Sequence, residues 1–288
     1  MIRFFRGAVV VLSAALLLAI TSVGPTFAAG TAQVRVLHAS PDAPAVDVWL
    51  DGSKVSALTD VPFGAISDYL TVAAGAHRVQ VFATGTSTNP VIDTTVDLAA
   101  GSRYTIAATN DLAHIQAQVL LDNAVPTANR ALVRVVHFSA DAPAVDVAPR
   151  GAAVADALVK GLTYPKATGY LAIPGGTYDL DLRLAGTTTV ALALPPLTVT
   201  DGTAYSVFAI GSAANPPVGG HGLRVVVARD ATVASAPSPA PSLPPTSTLG
   251  GQGGTGSPSG TTLAVLLMAA TLLVAAGTTT LVRVRSRN

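Results

Sequence analysis

The chain of 288 residues has no cysteine, and none of its sixteen acidic residues is glutamate. It has three lysines, a single tryptophan and only 11% charged residues. Without cysteine there are no disulfides, no thiolate nucleophile and no thiolate-bound metal. A basic surface is missing too. Five of the 17 basic residues (Arg3, Arg6, Arg283, Arg285 and Arg287) lie at the extreme ends, leaving twelve basic groups against sixteen acidic ones between them, about −4. A nucleic-acid backbone requires a positive face, so this balance argues against nucleic acid as a partner. The body contains no helix-period segment and no Gly-x-Ser-x-Gly elbow.

The two ends carry long apolar runs. Arg3 and Arg6 precede an apolar core from Ala8 to Ile20, and Thr26-Phe27-Ala28 forms a small-residue cleavage site, so residues 1–28 read as a secretory signal peptide. Residues 263–282 are uncharged and match the ~20 residues of a bilayer-spanning helix. The tail 283–288 holds three arginines, which places it on the cytoplasmic side and the body outside. Residues 234–260 are rich in Pro, Ser and then Gly, the composition of an extended and then flexible stalk. Within them Leu243-Pro244-Pro245-Thr246-Ser247 resembles a sortase signal but ends in Ser instead of Gly. The expectation is an exported, single-pass protein held by the membrane through its C-terminal helix.

The body is written twice. Residues 34–48 and 133–147 share twelve identities in fifteen positions, and Tyr69-Leu70, Gly75 and the stretch 100–108 recur as Tyr170-Leu171, Gly176 and 201–209. A self-match at this period signals a duplicated small domain. The expected units are residues 32–124 and 131–231, joined through a short segment containing Pro126.

Each copy reads as all-β. Residues 79–84, 91–98 and 104–109 alternate at period two in β-branched residues. Asp51-Gly52 between apolar runs is a hairpin signal, because both positions accept positive φ; Arg150-Gly151 holds that place in the second copy. Leu98-Gly101-Tyr104 and Val199-Gly202-Tyr205 resemble the tyrosine corner of immunoglobulin-like domains, in which the hydroxyl ties back to nearby backbone. The expectation is two tandem immunoglobulin-like antiparallel β-sandwich domains of seven or eight strands each.

The most nearly identical stretch is "HASPDAPAVDV", from His38, which returns as "HFSADAPAVDV", from His137. Alternation puts His38 and Ser40 at the end of one strand and turns Asp47 away from Val46 and Val48 on the next. Asp42-Ala43-Pro44 is turn chemistry. A Ser-His-Asp relay does not suit His38 and Ser40, whose Cβ atoms stand some ~7 Å apart on one strand. His38, Asp42 and Asp47 are acceptable metal-ligand types at a spacing that matches no known loop. Two readings remain. In one, the histidine and aspartates fix the strand crossing by hydrogen bonds. In the other, His38, Asp42, Asp47 and their repeats His137, Asp141 and Asp146 form ligand-binding loops. No catalytic residue, resident metal or cofactor is expected. Of the other histidines, His77 and His114 read as surface positions on strands, while His221 lies in a Gly/Pro loop, residues 215–222, that the first copy lacks.

With these residues in view, both copies resemble the DUF4397 family. Its hallmark is a His-x-Ser-Pro-Asp-Ala-Pro-x-Val-Asp-Val opening followed by an Asp-Gly hairpin, matched by residues 38–52. The second copy departs from it at Ala140, and at Pro149-Arg150 where the hairpin aspartate belongs. The resemblance spans residues 34–120 and 133–229. It implies a secreted or surface-attached bacterial β domain, often in tandem, with no assigned activity. Together these readings favour a non-enzymatic display or binding protein meeting a cell-wall polymer or a surface protein. The rivals are an exported hydrolase, with or without metal assistance, and a plain structural spacer.

Overall fold

The computed structural model describes residues 30–214 and 216–233. The signal peptide, stalk, membrane helix and basic tail expected at residues 1–28, 234–260, 263–282 and 283–288 lie outside the described residues. Among the described residues the only helical pieces are four single-turn 3-10 segments, and no helix is long and apolar enough to cross a membrane. The rest is strand and turn.

The first copy contributes β1 (Thr31–His38), β2 (Val46–Leu50), β3 (Ser53–Lys54), β4 (Leu70–Ala73), β5 (Gly75–Ala83), β6 (Ile92–Leu98), β7 (Arg103–Thr109) and β8 (Gln116–Leu121). They form two four-stranded sheets, β4-β1-β7-β8 and β3-β2-β5-β6. Val36, Ile106 and Ala108 of the first sheet close on Val46, Val48, Val79, Val81, Ile92 and Val96 of the second, a dry core between two layers.

The second copy contributes β9 (Ala131–His137), β10 (Val145–Pro149), β11 (Val159–Leu162), β12 (Leu171–Ile173), β13 (Gly176–Tyr178), β14 (Leu180–Leu184), β15 (Val190–Ala193), β16 (Leu197–Val199), β17 (Thr203–Ile210) and β18 (Arg224–Thr232). Its main sheets are β12-β9-β17-β18 and β11-β10-β14-β15, with β13 and β16 paired separately. Val135, Val145, Val147, Leu182 and Ala209 form the matching core.

The sheets are not purely antiparallel. β1 runs parallel to β7, with Val36 opposite Ile106, and β9 runs parallel to β17, with Val135 opposite Val207. Side-chain alternation is the same in parallel and antiparallel strands, so it carries no information on direction. The hairpin at Asp51-Gly52 has both residues at positive φ, 49° and 78°, and joins β2 to β3. At Arg150-Gly151 the chain turns but does not pair at once, and the partner strand β11 begins only at Val159. Tyr104 Oη accepts from Ala99 N at 3.0 Å and Tyr205 Oη from Thr200 N at 3.2 Å, so each hydroxyl ties back five residues upstream.

The copies do not hang as separate beads. The outer faces of β4-β1-β7-β8 and β12-β9-β17-β18 meet, and Leu37, Ala39 and Ala107 bury against Val136, Phe138, Phe208 and Ile210. At one margin of this contact lies a charged cluster built twice. Arg134 bonds Asp122, which also accepts from Tyr69 Oη at 2.7 Å and Thr105 Oγ1 at 2.6 Å. Arg35 bonds Asp230, which also accepts from Tyr170 Oη and Ser206 Oγ, both at 2.6 Å. Each arginine comes from one copy and its aspartate from the other, so the pair is related by an approximate twofold. Burial, and then the neighbouring aspartate, push the Tyr69 and Tyr170 hydroxyls well above the ordinary phenol range.

Candidate functional site

β1 and β7 run the same way in the first copy, and β9 and β17 do so in the second. Pro41, Asn110, Ala140 and Gly211, which follow β1, β7, β9 and β17, line one cleft, so all four strands finish at one end of the described body, where the repeated stretch begins. His38 and His137 close β1 and β9 and are buried. His38 Nε2 lies 3.0 Å from the Pro44 carbonyl and His137 Nε2 3.2 Å from that of Pro143, so each imidazole donates across its own turn. Burial pushes both imidazoles below their ordinary value, keeping them neutral. His137 Nδ1 accepts from Ser139 N at 3.3 Å. In the first copy His38 Nδ1 and Ser40 Oγ are buried without a hydrogen-bond partner among the described residues.

Asp47 and Asp146 hold loops by their backbone. Asp47 is fully buried and accepts from Lys54 Nζ at 2.7 Å, Asp60 N at 2.9 Å and Gly85 N at 3.1 Å. Asp146 accepts from the two equivalent amides, Gly161 N at 2.7 Å and Gly186 N at 2.8 Å. The Lys54 bond, joined by the two amides against the effect of burial, holds the Asp47 carboxyl below the usual range. Asp42 and Asp141 reach toward the loops that follow β7 and β17. Asp42 Oδ1 accepts from Leu112 N at 2.7 Å. Asp141 accepts from Ser212 Oγ at 2.5 Å, Ala213 N at 2.9 Å and Ala214 N at 3.1 Å. Burial pushes Asp141 up, but these bonds and that from Ser139 outweigh it and leave it low.

The histidine and the two aspartates of each repeated stretch are thus not bonded to one another. Among the described residues no Ser-His-Asp relay is assembled in either repeat: His38 Nε2 and His137 Nε2 are committed to the Pro44 and Pro143 carbonyls, and although Ser139 Oγ donates to Asp141 at 3.2 Å, neither histidine bonds a carboxylate. Among the described residues no group of three or more His or Asp is placed to hold a metal ion.

The fold does bring the two repeats together. Pro41 from the first and Ala140 and Asp141 from the second line one open cleft of about 210 Å³, completed by Asn110, Asp111, Gly211 and Val218. The repeats are covered unequally. Gly219, at φ 61°, lies so close to the first repeat that a Cβ would stand 2.1 Å from the Pro41 carbonyl oxygen; only glycine fits. Pro41 is buried, whereas Ala140 and Asp141 are exposed. His221 and Arg224, beyond Gly219, both lie on Phe63 of the first copy.

Sequence reasoning did not identify Phe63, Arg224, or the cluster of Arg35, Asp122, Arg134 and Asp230. One signal for the cluster was present: "VRV" opens both repeats, placing an arginine at the same point inside two apolar strands. His77 does lie on a strand, β5, with Nδ1 2.7 Å from Asp51 Oδ2. His114 does not: it ends the 3-10 turn Leu112–His114, capped by Asp111, because a three-residue turn leaves no period to read.

No curated protein is matched by this chain. Among solved structures it is similar to the Bacillus anthracis TIE protein at 10% identity and a TM-score of 0.21, covering 64% of this chain and 34% of that one. A leucine-rich repeat protein from Bacteroides thetaiotaomicron aligns at 14% identity and a TM-score of 0.16, covering 62% and 25%. The chain thus spans about a third and a quarter of these two proteins, and overlaps this slight leave its role to its own geometry. The family model is another matter: it matches residues 32–148 and 152–240, and the chain belongs to the family described as a domain of unknown function, DUF4397.

Proposed function

We propose that this chain is an exported, membrane-anchored display protein whose two immunoglobulin-like copies present a shared binding tip, and that it is not an enzyme. One observation carries this reading: both repeats line a single cleft at the end of the described body opposite Gly30 and Val233. The opposite end is marked by Ala74 N bonding Gly30 O at 2.8 Å and Val233 N bonding Gly202 O at 2.7 Å. Arg103 Nη1, which bonds Asp230 O at 2.9 Å, ties the two copies together there. A chain continuing from Val233 through a Pro/Gly stalk into a membrane helix would hold the cleft farthest from the bilayer. The commitment of His38, Asp47 and Asp146 to backbone groups supports a scaffold for loops over a reaction centre. The partner fitting this placement is a cell-wall polymer or the surface of another envelope protein.

Because the chain has no cysteine, label found on it reports the introduced residue alone. In intact cells producing the full chain, Val218→Cys is labelled by a membrane-impermeant maleimide and Asn288→Cys only after lysis. Labelling of Asn288→Cys on intact cells overturns the orientation. Ala140→Trp fills the cleft and lowers retention on isolated cell walls or on the captured envelope protein about tenfold, which corresponds to ~1.4 kcal/mol. Undiminished retention by that variant removes the tip from the account.

A further inference from the structure

The approximate twofold relates the Arg35–Asp230 and Arg134–Asp122 pairs between the copies, and it fails where the second copy meets Phe63. Tyr164 of the second copy stands where Phe63 stands in the first, and Gln116 at the start of β8 where Arg224 stands at the start of β18. On the Tyr164 side the contact is neutral: its hydroxyl lies 3.1 Å from Thr109 Oγ1 and accepts from Gln116 Nε2 at 3.0 Å. On the Phe63 side the second copy has a connection seven residues longer between β17 and β18 than the first has between β7 and β8. His221 stacks on Phe63 with centroids 4.4 Å apart and planes 24° apart. The Arg224 guanidinium lies 4.7 Å from the centroid of the same ring. Arg224 Nη2 donates to His221 Nδ1 at 3.3 Å.

That last bond requires Nδ1 to offer a lone pair, and so requires a neutral imidazole. A proton on Nδ1 removes the acceptor and sets a second cation against the guanidinium. The groups facing this point offer little compensation. His38, from β1, meets Phe63 edge-on at 6.2 Å and is itself a base. The Asp42 carboxylate, on the turn beneath Gly219, is bonded to Leu112 N, and Asp141, which holds the start of the loop, is bonded to Ser212, Ala213 and Ala214.

We propose that residues 216–224 are a proton-operated clasp, closed over Pro41 and Phe63 while His221 is neutral and released when it is protonated. Release uncovers the first repeat and makes the two repeats equally accessible at the tip. The clasp stands on these contacts alone, whatever the tip binds.

Hydrogen exchange of the full chain tests it, with rates corrected for the intrinsic effect of pH. Between pH 7.5 and 5.5, peptides covering residues 38–44 and 216–224 should lose protection about tenfold in the wild type. Peptides from β17 and from the second repeat, residues 137–143, should hold theirs. His221→Gln keeps an acceptor for Arg224 without a titrating proton and should stay protected at both pH values. Phe63→Leu removes the ring and should leave residues 216–224 unprotected at both. Unchanged wild-type protection overturns the clasp. So does an equal loss in His221→Gln, or a loss spread evenly over the molecule.

Discussion

Asp47 is the residue on which the first repeat turns, through its amide bonds more than its ion pair. Replacing it by Ala strips Asp60 N and Gly85 N of their acceptor inside the protein, which costs about 2–4 kcal/mol. Lys54→Met removes only an ammonium whose side chain is 42% exposed and should cost less than ~1 kcal/mol. Urea denaturation of the two variants gives the order; if Lys54→Met proved the costlier, the ion pair would be the organising contact. The histidines add a pH dependence of definite sign. His38 and His137 titrate below the ordinary 6.5 when folded, so below that pH the unfolded chain binds more protons and stability declines as pH falls. The depressed carboxyls of Asp47 and Asp141 add a further loss as pH falls below their ordinary 3.8. His77, raised first by its bond to Asp51, acts oppositely: its contribution is present at low pH and is lost as pH rises through its folded value. Thermal melts should therefore show stability dropping below pH 6.5, and the double variant His38→Gln, His137→Gln should be less stable at neutral pH but flatter in that window. If the double variant keeps the wild-type slope, the buried imidazoles are not its source.

Among the elements, the strand ends at Tyr104 and Tyr205 give a second measurement. Each phenol is largely buried and its hydroxyl caps one amide, so Tyr104→Phe and Tyr205→Phe should each cost about 1–2 kcal/mol. The sites lie in different copies, so the double variant should come close to the sum, and a clear shortfall in its denaturation midpoint would mean the corners share a partner. These corners, the β5, β6 and β7 strands and the Asp51-Gly52 hairpin were legible in the sequence because each rests on contacts local to its own segment. The pairing of β1 with β7 was not, since direction leaves no mark on alternation. The second buried face was only faintly legible. Along β1 and β9 the residues between the inward valines are Arg35, Leu37, Arg134 and Val136, a mixed row. Strands apolar on both faces belong to sheets covered on both sides, and here the cover is the other copy. Of the candidate site, the repeated histidine and aspartates could be placed on their turns from sequence alone. Their joint cleft could not, because it exists only once the copies are docked.

For the molecule as a whole, the decisive structure is the charged cluster that each copy half builds. Arg35 is buried in the first copy and its carboxylate, Asp230, in the second. Removing one partner strands the other charge away from water, a cost of about 3–5 kcal/mol, whereas replacing both by apolar residues of similar size is far milder. Arg35→Met should therefore destabilise more than the double variant Arg35→Met, Asp230→Leu. The approximate twofold makes the same demand of Arg134→Met against Arg134→Met, Asp122→Leu. Because these changes act on the contact between copies, they should also alter cooperativity. The wild type should melt in a single calorimetric transition, since neither copy can unfold without exposing Leu37, Val136, Phe138 and Phe208 on the other. In Arg35→Met that coupling weakens and the first copy should separate as a lower transition. Two transitions already present in the wild type would mean that the copies fold as neighbours whose shared face contributes little. A tip assembled from both repeats would then have no stable geometry to offer a partner.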